Sequence, residues 1–268
     1  MTLASAARQP TFAPSDSGAE KPMSAPVAFS RGGTPTAHAS SPIMTGAAVL
    51  ALKYKDGVMI ACDNHLMFGS MDKFRNVERL ITVEPATIVG FSGDYADFQY
   101  IKSLLDDLVL KERTCDDGHS LSPRHVFEYL ASMMYHRRNK FDPLWNTLVV
   151  AGVDTQGKSF LGQVDLRGGS YQADTVTTGF GNYLGQPLLR EAVEGKIDSI
   201  DEEAAKEIMK DALKVLFYRN TQAANTVQIG VVRRPDAQAG ETKPTIQIDE
   251  PITLDTEWGF AQMVVGYR

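Results

Sequence analysis

Cysteine is scarce: 268 residues hold two, Cys62 within an apolar stretch and Cys115 in a polar one. That excludes a disulfide-stapled scaffold and suits a reducing compartment. No apolar run approaches the roughly eighteen residues of a membrane-spanning helix, so none is expected. Basic residues are outnumbered, 27 against 33 acidic, for a net charge of -6; a nucleic-acid surface usually shows the reverse. The five histidines, His38, His65, His119, His125 and His136, lack the His-x-x-x-His or Cys-His spacing of a zinc site, so no metal is expected. A glycine-rich dinucleotide loop is missing too, because after Gly179-Phe180-Gly181 the place of the third glycine is taken by Leu184. No cofactor is expected.

What is present is enough for one large core, with 43% hydrophobic residues. Residues 1–40 stand apart, being dominated by Ala, Ser, Pro, Thr and Gly with no helical or strand period. Such a stretch buries too little apolar surface to offset its ordering entropy, and it reads as a disordered or removable extension. It lacks the continuous apolar core of a secretory signal, and Asp16 and Glu20 interrupt its sparse basic content.

Beyond it, Ala48 to Tyr54 and Val58 to Asp63 are apolar runs around Lys55-Asp56-Gly57, a hairpin whose turn calls for positive φ at the glycine. From Asp94 the period lengthens: Phe98, Ile101, Leu104, Leu105 and Leu108 form one helix face. Ser122-Pro123 starts a second helix, burying Val126, Phe127, Leu130, Met133 and Met134. Its basic end, His136, Arg137, Arg138 and Lys140, serves either a partner or the helix dipole. Residues 145–153 and 159–164 give another hairpin. Ser199 with Glu202 suggests a capping box ahead of Ala205, Ile208, Met209, Ala212, Leu213 and Leu216. Strands at 226–232 and 245–248 and a short helix around Trp258 complete the order. Strands, two helices, strands, two helices and strands give an α+β fold with helices outside the sheets.

Any chemistry of the first hairpin would sit at its ends, at Gly46-Ala47 and Asp63, with Arg79 further on and Gly93-Asp94 after a third apolar run. This set resembles the opening of proteasome beta subunits, whose active members carry Gly-Thr, Asp, Lys and Gly at those positions. The likeness runs over about 42–267. It is carried most specifically by Gly93-Asp94-Tyr95-Ala96-Asp97-Phe98, Tyr135-His136-Arg137-Arg138-Asn139-Lys140, Asp142-Pro143-Leu144-Trp145-Asn146-Thr147 and Gln186-Pro187-Leu188-Leu189-Arg190-Glu191. Those strings are similar to non-catalytic members.

The resemblance implies a four-layer αββα sandwich of the N-terminal nucleophile hydrolase type. It also implies a place among other alpha and beta subunits of a four-ring 20S particle in cytoplasm and nucleus, supporting ubiquitin-dependent protein degradation by active neighbours. Alanine offers no oxygen to attack a carbonyl, and a guanidinium stays charged where a lysine can be tuned toward neutrality. Asp63 is then expected to pair with Arg79. After Tyr218-Arg219, where active members have Asp, stands Asn220, and their serine three places on is Ala223. Catalytic residues are therefore expected to be none, with Thr45 as the sole alternative nucleophile. Cys62, beside Asp63, is expected to be an inert thiol in the core. The resemblance further implies trimming after His38, so that 1–38 is a prosegment, Ala39 the mature start, and 39–268 the beta-subunit domain.

Overall fold

The computed structural model describes residues 42–83, 85–235 and 243–259. The expected extension, its cleavage point at His38 and Ala39, and the continuation of a helix past Trp258 lie outside them.

The first strand, β1 (Met44–Gly46), leads through Ala47 into the hairpin β2 (Val49–Tyr54) and β3 (Gly57–Asp63). Both faces of that hairpin are covered, which is why its strands read as continuous apolar runs. Leu50, Leu52, Tyr54, Met59 and Ala61 join one core cluster, while Val49, Ala51, Val58, Ile60 and Cys62 join another. The turn differs from expectation: Gly57 is not among the residues of positive φ. A Cβ there would lie 2.0 Å from the carbonyl oxygen of Val232. Close approach of a neighbouring strand, not turn conformation, requires the glycine.

Next come β4 (Leu66–Phe68), β5 (Met71–Phe74), β6 (Leu80–Val83) and β7 (Thr87–Asp94). Helices α1 (Tyr95–Cys115) and α2 (Pro123–Asn139) follow. Asp94 caps α1, its carboxylate accepting from the amides of Ala96 and Asp97 at 3.0 and 3.2 Å. Ser122 caps α2 as its sequence suggests, with Pro123 at the first helical position and His125 bonding back to the Ser122 amide.

Strands β8 (Asn146–Val153), β9 (Ser159–Val164), β10 (Ser170–Gln172) and β11 (Thr175–Thr177) precede α3 (Gly181–Val193) and α4 (Glu202–Arg219). The expected capping box at Ser199 is not formed. Ser199 ends a 3₁₀ turn and donates its hydroxyl to the Lys196 carbonyl. Asp201 caps α4 instead, accepting from the Ala204 amide at 2.8 Å. The chain then adds β12 (Thr226–Arg233), β13 (Thr245–Ile248) and β14 (Ile252–Thr253).

One sheet has eight strands in the order β10-β9-β8-β7-β1-β4-β5, with β6 also on β7; the other has six, β11-β2-β3-β12-β13, with β14 on β12. Their inner faces meet through Val49, Ile60, Cys62, Ile88, Val149 and Val232. Helices α1 and α2 cover the eight-stranded sheet, and α3 and α4 the other. Layers of helix, sheet, sheet and helix result, which is the αββα sandwich.

Candidate functional site

Gly46 ends β1 and lies opposite Gly93 on β7. Asp63 closes β3, and Arg79 stands immediately before β6. The fold therefore brings Gly46, Ala47, Asp63, Arg79 and Gly93 to one spot where the first strand crosses the ends of the others.

Arg79 organises that spot, and its side chain is wholly buried. Its Nη1 donates to Oδ1 of Asp63 at 2.6 Å and to the Asp63 carbonyl at 3.1 Å. Its Nη2 donates to the carbonyls of Ala47 at 2.6 Å and Phe91 at 2.8 Å. The guanidinium lies 5.4 Å from the centroid of the Phe91 ring, which itself stacks on Phe98 at 3.8 Å. A buried cation is tolerated only when paired and hydrogen-bonded; here one carboxylate and three carbonyls receive the two terminal nitrogens, while Nε, facing Gly46, is left without a hydrogen-bond partner. The pair suggested by the sequence is present.

Burial dominates the electrostatics of the spot. Burial raises the Asp63 carboxyl pKa, and the adjacent Arg79 pulls it back. Burial pushes the Cys62 thiol up to about 12, again with Arg79 acting in the lowering direction. Ala47 contributes a methyl group, and its nitrogen is a peptide amide because the chain continues back into β1. That strand is held on both sides, Thr45 being opposite Met67 of β4 and Asp94 of β7. A peptide nitrogen accepts no proton, and a methyl group has no lone pair with which to attack a carbonyl.

Both glycines serve packing. A Cβ on Gly46 would lie 2.5 Å from Nε of Arg79, and one on Gly93, whose φ is +104°, would lie 2.1 Å from the Trp145 carbonyl oxygen. Asn220 is buried at the end of α4, where its side chain accepts from the Gln222 amide at 3.1 Å and its carbonyl from the Ala223 amide. Those bonds close its own turn; none reaches Arg79 or Asp63. Ala223 lines a cleft of about 540 Å³ with His65, Met67, Asp72, Gln222 and Asn225. Ala47 is not part of that cleft's wall. Trp145 is half-buried, with its amide on Oδ2 of Asp97 at 2.8 Å.

Sequence reasoning missed two contributors. Phe91 supplies both a carbonyl and a ring to Arg79, and Asn146 donates its side-chain amide to the Asp94 carbonyl at 2.7 Å, tying β8 to the start of α1. Each acts across more than ten residues of chain, where spacing carries no signal.

The proteasome subunit family matches residues 43–232. Proteasome subunit beta type-4 of Xenopus laevis is 40% identical over 237 residues, covering 88% of this chain and 93% of the relative. Proteasome subunit beta type-4 of Dictyostelium discoideum is 44% identical over 225 residues, 84% and 83% of the two chains. Proteasome subunit beta type-7 of Saccharomyces cerevisiae is 39% identical over 243 residues, 88% of each. With a family match across most of its length and relatives of this coverage, the chain belongs to the proteasome subunit family, among its beta subunits.

Proposed function

We propose that this chain is a non-catalytic structural subunit of the 20S proteasome beta ring. It fills one place beside other alpha and beta subunits in the four-ring particle and supports ubiquitin-dependent degradation carried out by active neighbours. The observation that carries the reading is Arg79. A guanidinium occupies the ground between Asp63, Ala47 and Gly46, where a threonine mechanism needs a tunable amine beside a hydroxyl. The site has become part of the core.

Thr45 is not favoured as a nucleophile. A free amine on it requires cutting after Met44, within a strand paired to both β4 and β7. Trimming after His38, with Ala39 as the new start, and residence in cytoplasm and nucleus belong to the same proposal. The two free cysteines fit a reducing compartment.

The test is covalent labelling of native particles with a probe directed at amino-terminal threonine. Neighbouring subunits take up the probe while this chain keeps its unlabelled mass. An adduct on Thr45, or peptide turnover by the isolated chain, overturns the non-catalytic reading. A monodisperse 29.3 kDa monomer in cell extract removes the ring place.

A further inference from the structure

Phe141 is the most exposed large apolar side chain among the described residues, at 97%. Its backbone is left-handed, with φ of 56°, a region that a bulky residue occupies only when its surroundings impose it. Here they do. The Phe141 amide donates to the Arg138 carbonyl at 3.0 Å, and the amides of Lys140 and Asp142 donate to the Arg137 carbonyl at 3.1 and 3.2 Å. Arg137 is fixed in turn, with Nη2 3.1 Å from Oδ2 of Asp142 and its guanidinium 5.7 Å from the centroid of the Tyr100 ring. Pro143 then disfavours any helical continuation at Asp142.

A glycine or asparagine takes this conformation at less cost. The aromatic ring returns nothing to the core, because it stands in solvent. Its neighbours add a second observation. Arg138 and Lys140 are exposed on either side of the turn, and Asp142 is neutralised by Arg137. On a chain of net charge -6 this is a local basic spot with an apolar tip. Aromatic side chains, phenylalanine included, and arginine are enriched at protein interfaces.

We propose that the turn at 138–142 is a docking anchor. Phe141 enters an apolar socket on an adjoining protein subunit, and Arg138 and Lys140 meet carboxylates on that socket's rim. The inference rests on the reading of this chain as one subunit of a larger particle.

The test compares wild type, Phe141→Gly, Phe141→Met and the double variant Arg138→Glu with Lys140→Glu, each expressed as the full chain beside its partner subunits. Incorporation is read as the fraction of the chain in the high-mass particle on a native gel, and fold stability as the thermal midpoint of the purified chain. Phe141→Gly is expected to melt at or above the wild-type temperature, since it relieves the left-handed strain, while its incorporation falls about tenfold. Phe141→Met keeps an apolar tip and incorporates within about twofold of wild type. The charge reversal lowers incorporation, and added salt narrows its deficit. Wild-type levels of incorporation by Phe141→Gly overturn the anchor while leaving the subunit reading intact. A wild-type chain absent from any particle overturns both. If the purified wild type dimerises and Phe141→Gly does not, the socket belongs to a second copy and the proposal of a different, acidic subunit falls.

Discussion

Gly46 and Arg79 are fitted to one another: the glycine has no Cβ, and the space a methyl group needs there is filled by Nε of Arg79, 2.5 Å away. The same guanidinium reaches Ala47, Asp63 and Phe91, so the crossing of β1 over β3 and β7 depends on it. Arg79→Ala leaves Asp63 buried without its counter-charge, and we expect a loss of about 3–5 kcal/mol in urea denaturation. Gly46→Ala should cost about 1–3 kcal/mol by overpacking. A loss under about 1 kcal/mol for Arg79→Ala contradicts the assignment of this pair as a structural tie.

On the non-catalytic reading, placing a hydroxyl at position 47 should not by itself create chemistry. Ala47→Thr places an oxygen beside a guanidinium that cannot accept its proton, and the residue's nitrogen remains a peptide amide. We expect no self-cleavage between Gly46 and position 47 in the intact mass of this variant, and no labelling by a threonine-directed probe. Spontaneous appearance of a chain starting at position 47 shows instead that Arg79 is compatible with that reaction.

The two thiols give a simple probe of the core. Cys115 is exposed at the end of α1, whereas Cys62 is buried in β3 with its pKa pushed up to about 12, chiefly by burial. Alkylation of the native chain near pH 8 should therefore modify one thiol, at Cys115. Modification at Cys62 should appear only as fast as the sandwich unfolds, and should accelerate in parallel with the denaturation curve. Rapid native labelling of Cys62, measured by peptide mass, means that the inner faces of the sheets open locally.

How much of this was legible depends on distance along the chain. The β2 and β3 hairpin, the Ser122 cap with Pro123 and the apolar faces of α1, α2 and α4 all lie in local patterns, and the structure has them. The order of the layers came through the resemblance carried by strings such as Asp142-Pro143-Leu144-Trp145. Ser199 misled because the motif before α4 fits two registers, and Ile197 to Ser199 closes into a tight turn that hands the cap to Asp201. The bonds of Arg79 were only half legible. Pairing with Asp63 followed from charge, but the carbonyls of Ala47 and Phe91 are presented by strand crossings that no local pattern records.

Acid should loosen the contact between α4 and β12. Arg233 binds Glu202 with both ends, Nε to Oε2 at 2.5 Å and Nη2 to Oε1 at 2.6 Å, and Lys206 adds Nζ at 3.1 Å. These partners, with the Arg233 hydrogen bonds foremost, hold the Glu202 carboxyl below its ordinary value. A carboxylate with a depressed folded pKa adds stability above the unfolded pKa, about 4.3 for Glu, and loses it as pH falls through the folded value. Arg233→Ala should thus destabilise by about 1 kcal/mol near neutral pH, the contact being partly exposed. The difference from wild type should shrink below about pH 4. A deficit unchanged between pH 7 and 3 assigns the effect to lost packing rather than to charge.

Gly57 and Gly69 separate two reasons for a glycine. Gly69 has φ of +62° with nothing within 4 Å of the Cβ position, so only its conformation matters. Asn tolerates that region better than other side chains, and Gly69→Asn should cost under about 1 kcal/mol. At Gly57 the obstacle is the Val232 carbonyl, 2.0 Å from where a Cβ would stand, and no choice of side chain avoids it. Gly57→Ala and Gly57→Asn should both cost about 1–3 kcal/mol, or more where β12 is pushed off β3. Backbone hydrogen exchange should locate the damage, with the amides of Val58 and Val232 losing protection together while those of the eight-stranded sheet keep theirs. If Gly57→Asn is as mild as Gly69→Asn, turn conformation rather than strand approach governs the residue.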